Sequence, residues 1–331
     1  MLDVADSLGV SRATVSLVMR DSPLVAVTTK AAVLHEADRL GYVYNRGAAN
    51  LRTQRSDVIG LVMPDIVNPF VGEVSLGSQD VLDEYGFFVI IANTRDRLDA
   101  QRHIVRSLVE QRVAGLLTIP VLDTDAESEA ELVRARLPVV LLTRDLPESG
   151  LPFVGPDDAA VARLGARHLV DHHACTTVAY FGGNAVAAPR IVRERAFRKR
   201  VGSQAQIVEE WNLAFDAGLA EAYATASALL DAGPAPRGVQ CHSDSVAYGL
   251  LRALHDHRLG VDDCRVLGID DLRQSATWIP SVSTIAVHPM ELGRISARIL
   301  LQQIGVPDVV PGKPPSPQLV PRESCGCTPT G

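Results

Sequence analysis

The chain has 331 residues, a net charge of -7, 47% hydrophobic residues and only 5% aromatics, so about two domains with aliphatic cores are expected. The overall acidity argues against indiscriminate nucleic-acid binding, and no apolar run reaches the roughly 18 residues of a membrane helix. Met1 to Gly9 carries Asp3 and Asp6 and no basic-then-apolar pattern, so no export signal is expected and a cytoplasmic location is.

Charge is unevenly spread. Between Arg12 and Arg55 the basic residues Arg12, Arg20, Lys30, Arg39, Arg46, Arg52 and Arg55 outnumber the acids Asp21, Glu36 and Asp38. A net-positive segment on an acidic chain is the footprint of a small DNA-binding head. Val4, Ala5 and Leu8 give one apolar face of a short helix, and Gly9 suits the left-handed residue that ends it. Ser11 is a good N-cap for a second helix, with Val15, Val18 and Met19 inward and Arg12, Ala13 and Ser16 outward. Asp21-Ser22-Pro23 reads as a turn. Thr28 or Thr29 then caps a third helix whose core face is Val33, Leu34, Ala37 and Leu40, with Gly41 at its end. Two short helices joined by a tight glycine turn form a helix-turn-helix.

From residue 57 the pattern becomes alternating strand and helix. Strands are expected at Val58 to Met63, Phe87 to Ala92, Gly115 to Ile119 and Val139 to Thr143. Helices are expected at Val71 to Tyr85 and Ile104 to Gln111, with Leu132 to Arg136 before the fourth strand. The pattern then restarts. Helices are read at Ala159 to Val170, Ala217 to Leu230 and Ser245 to His255, and strands at Thr177 to Phe181, Gly238 to Cys241 and Arg265 to Ile269. Such alternation predicts parallel sheets with helices on both faces, here as two α/β lobes of similar size. Ligands of open α/β sheets bind beyond the carboxyl ends of the strands, which points to the cleft between the lobes.

Asp3-Val4-Ala5, Gly9-Val10-Ser11-Arg12-Ala13-Thr14-Val15-Ser16, Leu40-Gly41-Tyr42, Asn45 and Leu51 resemble the head of the LacI/GalR family of lac-repressor-like regulators, and the likeness runs on to Cys325. The resemblance implies that the second helix enters the major groove, with Arg12 and Ala13 reading base edges and Ser11, Thr14 and Ser16 beside them. Asn45 belongs to the same DNA-binding set. Arg46 to Arg52 resembles the hinge helix of the family, in which Leu51 would wedge between base steps in the minor groove. The resemblance also implies a periplasmic-binding-protein-like sensor, with the helix near Glu291 to Ile304 returning to the first lobe. Phe70, Arg193 and Asp270 match effector-contacting positions. Ser243 ends another strand at the cleft, whereas Asp244 is expected to support structure. Trp211 is included as a residue that would stack on a ring-shaped ligand.

The expected organisation is therefore a helix-turn-helix domain at 1–44, a hinge at 45–56, a two-lobed effector-binding and dimerisation domain at 57–324, and a tail at 325–331. The expected function is a repressor acting as a homodimer on a pseudo-palindromic operator. Its affinity would be set by a small polar effector, a sugar or a nucleoside. The alternative is a solute-binding protein of a transporter, which the head and the missing export signal oppose. An enzyme is not expected, because His242-Ser243-Asp244 are merely adjacent in sequence and Gly182-Gly183 lacks a phosphate-loop ending. Neither a cofactor nor a metal is expected. Five scattered cysteines do not suggest a disulfide framework, and Cys325-Gly326-Cys327 lacks the second half of a zinc site. His172-His173 and His255-Asp256-His257 read as solvated helix ends. The segment His172 to Cys175 stands where the family more often has a shorter turn, and no function is assigned to it.

Overall fold

A computed structural model describes residues 1–44, 56–134, 137–216 and 218–327. The chain divides into two units, Met1–Ser56 and Asp57–Gly331. The first holds α1 (Leu2–Leu8), α2 (Arg12–Val18) and α3 (Val27–Arg39). Gly9 ends α1 with φ 61°. Val4, Ala5, Val15, Val18, Val33 and Ala37 form the core of the head. The third helix differs from expectation at its start and on its face. It begins at Val27 after Ala26, with no side-chain cap. Leu34 and Leu40 are exposed, and Glu36 is buried in their place. The Glu36 carboxylate fits there because Arg39 grips both of its oxygens at 2.8 and 2.7 Å.

The second unit has two lobes. Lobe 1 contains β1 (Val58–Met63), α4 (Pro69–Glu84), β2 (Phe88–Asn93), α5 (Leu98–Glu110), β3 (Gly115–Thr118), α6 (Ala126–Arg134), β4 (Val139–Leu142) and β5 (Phe153–Val154). Its strands form a parallel sheet in the order β2-β1-β3-β4-β5. Alternate residues serve the two faces. Ile59, Leu61, Met63, Leu117, Val140 and Leu142 pack toward α4, while Val62, Leu116, Val139 and Leu141 pack toward α5 and α6. A sheet covered on both faces needs strands that are apolar throughout, and Val-Ile-Gly-Leu-Val-Met is such a strand.

Lobe 2 contains α7 (Asp158–Arg167), β6 (Thr177–Phe181), α8 (Ala188–Val201), β7 (Gln206–Ile207), α9 (Leu219–Ala232), β8 (Gly238–Cys241), α10 (Asp244–Asp256), β9 (Arg265–Asp270) and β10 (Ser283–Ala286). The chain then returns to lobe 1 as α11 (Pro289–Ile304) and comes back to lobe 2 as β11 (Gln318–Val320). The second sheet has the order β11-β10-β9-β8-β6-β7, parallel except for the β10–β11 pair. Leu292, Ile295, Leu300 and Leu301 of α11 complete the lobe 1 core. Contact between α4 and α11 is backbone to backbone. A Cβ added at Gly77 would lie 1.9 Å from the Met290 carbonyl oxygen, and one at Gly293 would lie 2.1 Å from that of Val74. The Ser78 hydroxyl seals the contact, 2.9 Å from the Val74 carbonyl and 3.2 Å from that of Gly293. Cys325, assigned to a tail on sequence, is fully buried in the core of lobe 2.

Candidate functional site

In the head, Ser11 caps α2, its hydroxyl oxygen accepting from the Thr14 backbone N–H at 3.0 Å and pairing with the Thr14 hydroxyl at 2.9 Å. Ser11, Arg12 and Ala13 are exposed at the N-terminus of the helix, while Thr14 and Ser16 are half-buried. The Ser16 hydroxyl and carbonyl both accept from Arg20, at 3.2 and 3.1 Å. An exposed guanidinium on the first turn, above a helix anchored by Val15 and Val18, has the geometry that reaches base edges. Asn45 and Leu51 lie outside the described residues.

In the body, the carboxyl ends of strands from both sheets meet at a cavity of about 740 Å³. Its lining follows strand by strand: Asp65 after β1, Asp96 after β2, Arg144 after β4, Asn184 after β6, His242 and Ser243 after β8, and Asp270 at the end of β9. Phe70 enters from the first turn of α4 and Arg193 from the middle of α8. Asn68 starts α4 by accepting the Phe70 N–H at 3.0 Å, which aims the ring inward. Phe70 packs against the core of lobe 1 and against two apolar clusters of lobe 2.

Arg193 is nearly buried. Its Nε donates to Asp158 at 2.6 Å and its Nη1 to the His242 carbonyl at 3.0 Å. Burial alone would favour its neutral form, but the charge of Asp158 outweighs that, and the guanidinium is held more firmly protonated than usual. Asp270 is 5% exposed and has φ 121°, a conformation unusual for a residue with a side chain. Burial, and then the charge of Asp244, push its carboxyl well above the usual range. Asp244, fully buried, accepts from the Leu272 N–H at 2.8 Å and from the Ser275 and Thr284 hydroxyls at 2.6 Å each. It joins β8, β9 and β10 below the cleft floor, in the supporting role expected. Ser243 lines the cavity while its hydroxyl caps α10 at 3.3 Å from the Val246 N–H. The His242 ring sits 2.9 Å from the Tyr180 hydroxyl through Nδ1, and burial keeps it neutral.

Phe70, Arg193, Ser243 and Asp270 thus meet in one cavity. Trp211 does not join them. It is 2% exposed and packs on Phe181, ring centroids 5.7 Å apart, inside the core of lobe 2. The short turn that carries it follows β7 at the sheet edge, and that register turns the indole inward.

Sequence reasoning missed Asp96 and Arg144. The Arg144 Nη1 and Nη2 atoms bridge the two Asp96 oxygens at 2.5 and 3.0 Å, and Nη1 also donates to the Pro120 carbonyl at 2.9 Å. The signal was their position just past strand ends, the rule that found Asp270. Also missed were Asn184 and Asp216, joined at 2.8 Å on the lobe 2 side.

Among the described residues no helix is long and apolar enough to cross a membrane. Residues 166–325 match a periplasmic-binding-protein-like domain, and residues 1–45 match bacterial regulatory proteins of the lacI family. The ribose operon repressor of Halalkalibacterium halodurans is 32% identical over 305 residues, 91% of this chain and 89% of that protein. The transcriptional regulator MalR of Streptomyces coelicolor is 30% identical over 92% of this chain and 90% of its own length. A lac repressor dimer bound to operator and an anti-inducer shares the fold, with a TM-score of 0.81 and 24% identity over 98% of each chain. A complex of the regulator CelR with cellobiose matches at a TM-score of 0.71 and 26% identity, covering 97% of this chain and 98% of that one. These relatives are transcription regulators rather than enzymes. A helix-turn-helix head, a two-sheet periplasmic-binding-protein-like body and relatives that span nearly the whole chain place this protein in the lacI family of bacterial regulatory proteins.

Proposed function

We propose that this protein is a cytoplasmic repressor that binds a pseudo-palindromic operator as a homodimer and changes its operator affinity when a sugar occupies the interlobe cleft. The observation that carries the effector part is the composition of one cavity. Lobe 2 supplies Arg193 and Asp270, lobe 1 supplies Asp96 and Arg144, and Phe70 packs against both lobes. Charged donors and acceptors ringed around Phe70 suit a polyhydroxylated ring. Their hydrogen bonds fix hydroxyl positions, and Phe70 covers one apolar ring face. A nucleobase would call for more aromatic surface than Phe70 offers. The volume of about 740 Å³ suits a small saccharide. Relatives described as ribose operon repressors, and a relative bound to cellobiose, support the same class.

Arg12 and Ala13 would read bases, Ser11, Thr14 and Ser16 would settle the helix on phosphates, and Asn45 and Leu51 would extend the contact. Dimerisation is supported by edge strand β2, which leaves Phe88 61% and Ile91 44% exposed beside exposed Leu76 and Tyr85 of the same lobe. Three crossings of the chain between the lobes leave room for a change of lobe angle, which would move the paired hinges.

The test is a thermal-shift screen of the full chain against pentoses, hexoses and disaccharides, then fluorescence anisotropy on a selected operator with and without the hit. A ligand restricted to the native state raises the melting temperature by mass action. By linkage, the operator must change sugar affinity by the factor with which the sugar changes operator affinity. A sugar that binds equally well with and without operator refutes the reading.

A further inference from the structure

The segment for which sequence offered no role sits beside the C-terminal cysteines. After α7 the backbone widens into a single π-turn over His168–His172, closed by the His173 N–H donating to the His168 carbonyl at 3.1 Å. Such turns recur at functional sites because the extra residue re-aims side chains. Here it turns the His173 ring edge-on to His168, centroids 4.5 Å apart at 87°, and brings their Nε2 atoms within 3.0 Å. Cys325 Sγ is 3.3 Å from the His168 Nε2. Cys327 Sγ is 3.8 Å from the same nitrogen and 3.6 Å from the His173 Nε2.

All four ligand atoms fall within 4.8 Å of one another. With Zn–S near 2.3 Å and Zn–N near 2.0–2.1 Å, the edges of a tetrahedral two-sulfur, two-nitrogen site run from about 3.3 to 3.8 Å. Four of the six separations, 3.0, 3.3, 3.6 and 3.8 Å, come within a few tenths of an ångström of that range, and the other two lie within 4.8 Å. We propose that His168, His173, Cys325 and Cys327 bind one zinc ion as a closed tetrahedral site.

Contacts that need no metal fix both halves. Gly326 has φ 83°, a left-handed conformation that favours glycine, and it turns the chain between the two cysteines. Arg265 donates to the Cys325 carbonyl at 2.8 Å, and the Ser324 hydroxyl donates to the Val266 carbonyl at 2.7 Å. Neutral imidazole and thiolate are the ligating forms, so loading of the site releases the thiol protons. Two thiolates neutralise a divalent ion, so Arg265 does not repel the filled site. The His172 ring stacks on His168, centroids 4.9 Å apart, with its Nε2 3.9 Å from the Cys327 Sγ. With all four positions taken by protein, the ion has no open coordination site and serves as a clasp. It ties the segment after β11 to the end of α7. Sulfur and imidazole in a tetrahedron select zinc over the oxygen-seeking cations.

The test uses the full chain, without a histidine tag, reduced and stripped by a chelator. Titration with cobalt(II) is expected to give one equivalent per chain, the intense ligand-field bands of tetrahedral cobalt and a thiolate charge-transfer band. Zinc should displace the cobalt. Loss of a single ligand in Cys327→Ser or His173→Asn should weaken binding about a hundredfold or more, beyond the effect of losing an outer partner. The exposed His255→Asn should leave it unchanged. Circular dichroism checks the fold of each variant, and the chelator should lower the melting temperature of the wild type but not of Cys327→Ser. An octahedral spectrum, a stoichiometry far below one, or equal affinity in wild type and both ligand variants overturns the proposal.

Discussion

The α4–α11 contact makes a prediction in which one substitution on one helix has opposite signs at two positions. Gly77→Ala places a methyl 1.9 Å from the Met290 carbonyl oxygen, with the Met290 carbonyl carbon and Cα at 2.7 and 2.8 Å. All three are backbone atoms of the α11 start, so no rotamer change relieves the overlap. The helices must part by roughly 1 Å, which forfeits a quarter to a half of the attraction between atoms along the seam. Overpacking of this kind costs up to about 3 kcal/mol or more, against a gain of about 1 kcal/mol from alanine's helix propensity. A net loss of about 2–3 kcal/mol corresponds to a melting temperature roughly 4–12 °C lower for a unit of this size. Gly72, on the same helix, meets only the Ile66 carbonyl oxygen at 4.0 Å. There the same change should stabilise by up to about 1 kcal/mol. Paired thermal and urea unfolding, read by far-ultraviolet circular dichroism, measures both. Equal shifts, or no loss for Gly77→Ala, would show that α4 and α11 do not touch as described.

Arg12→Ala should weaken operator binding by about 1–3 kcal/mol and relax preference at one base pair; an anisotropy titration against single-base operator variants that shows a uniform loss would make Arg12 a phosphate contact. Burial, with the charge of Asp271, raises Asp244 to about 7, and burial, with the charge of Asp244, raises Asp270 well above the usual carboxylate range. The native state therefore holds these protons at pH values where the unfolded chain has lost them, and their stabilising contribution declines as pH rises from the usual carboxylate range to neutrality. Urea midpoints at about pH 5 and about pH 8 should show this decline, and Asp270→Asn should flatten it. An unchanged slope in the variant refutes the assignment. Trp211→Phe should lower stability by about 1–2 kcal/mol yet leave effector affinity within about twofold; a large loss of affinity would return Trp211 to the cleft.

Sequence disclosed the elements whose chemistry is local. β1, β3 and β4 are short apolar runs buried on both faces, and the capping serine and turn glycine of the head are neighbours in the chain. What it hid depended on distant partners. β10 is polar by composition, with Ser283 and Thr284 fully buried. It becomes a strand because the Ser283 hydroxyl donates to the Arg322 carbonyl at 2.8 Å and the Thr284 hydroxyl to Asp244 at 2.6 Å. α8 showed no apolar stripe because its buried residues are Arg190, Arg193, Phe197 and Val201, so buried charges, Arg193 of the cleft among them, erase the period that marks a core helix. Cys325-Gly326-Cys327 has no second ligand pair nearby in sequence. The histidines that approach it lie more than 150 positions earlier in the chain, and spacing rules for local motifs do not reach so far. Trp211 was misplaced because an indole serves a core and a stacking surface equally well, and only the position of β7 at the sheet edge decides.

The interleaved path of the chain also sets the order in which it can fold as it is made. The lobe 1 strands are finished at Val154, but their covering helix, Pro289–Ile304, is synthesised only after Asp158–Ala286. Until then the face that carries Leu61, Leu117 and Val140 is covered by α4 alone and lacks the Leu292, Ile295, Leu300 and Leu301 side chains that complete its core. At ribosomal speeds that interval is on the order of ten seconds, long compared with chain collapse. The half made first is thus the half completed last, and part of its apolar core waits for the second lobe to be translated.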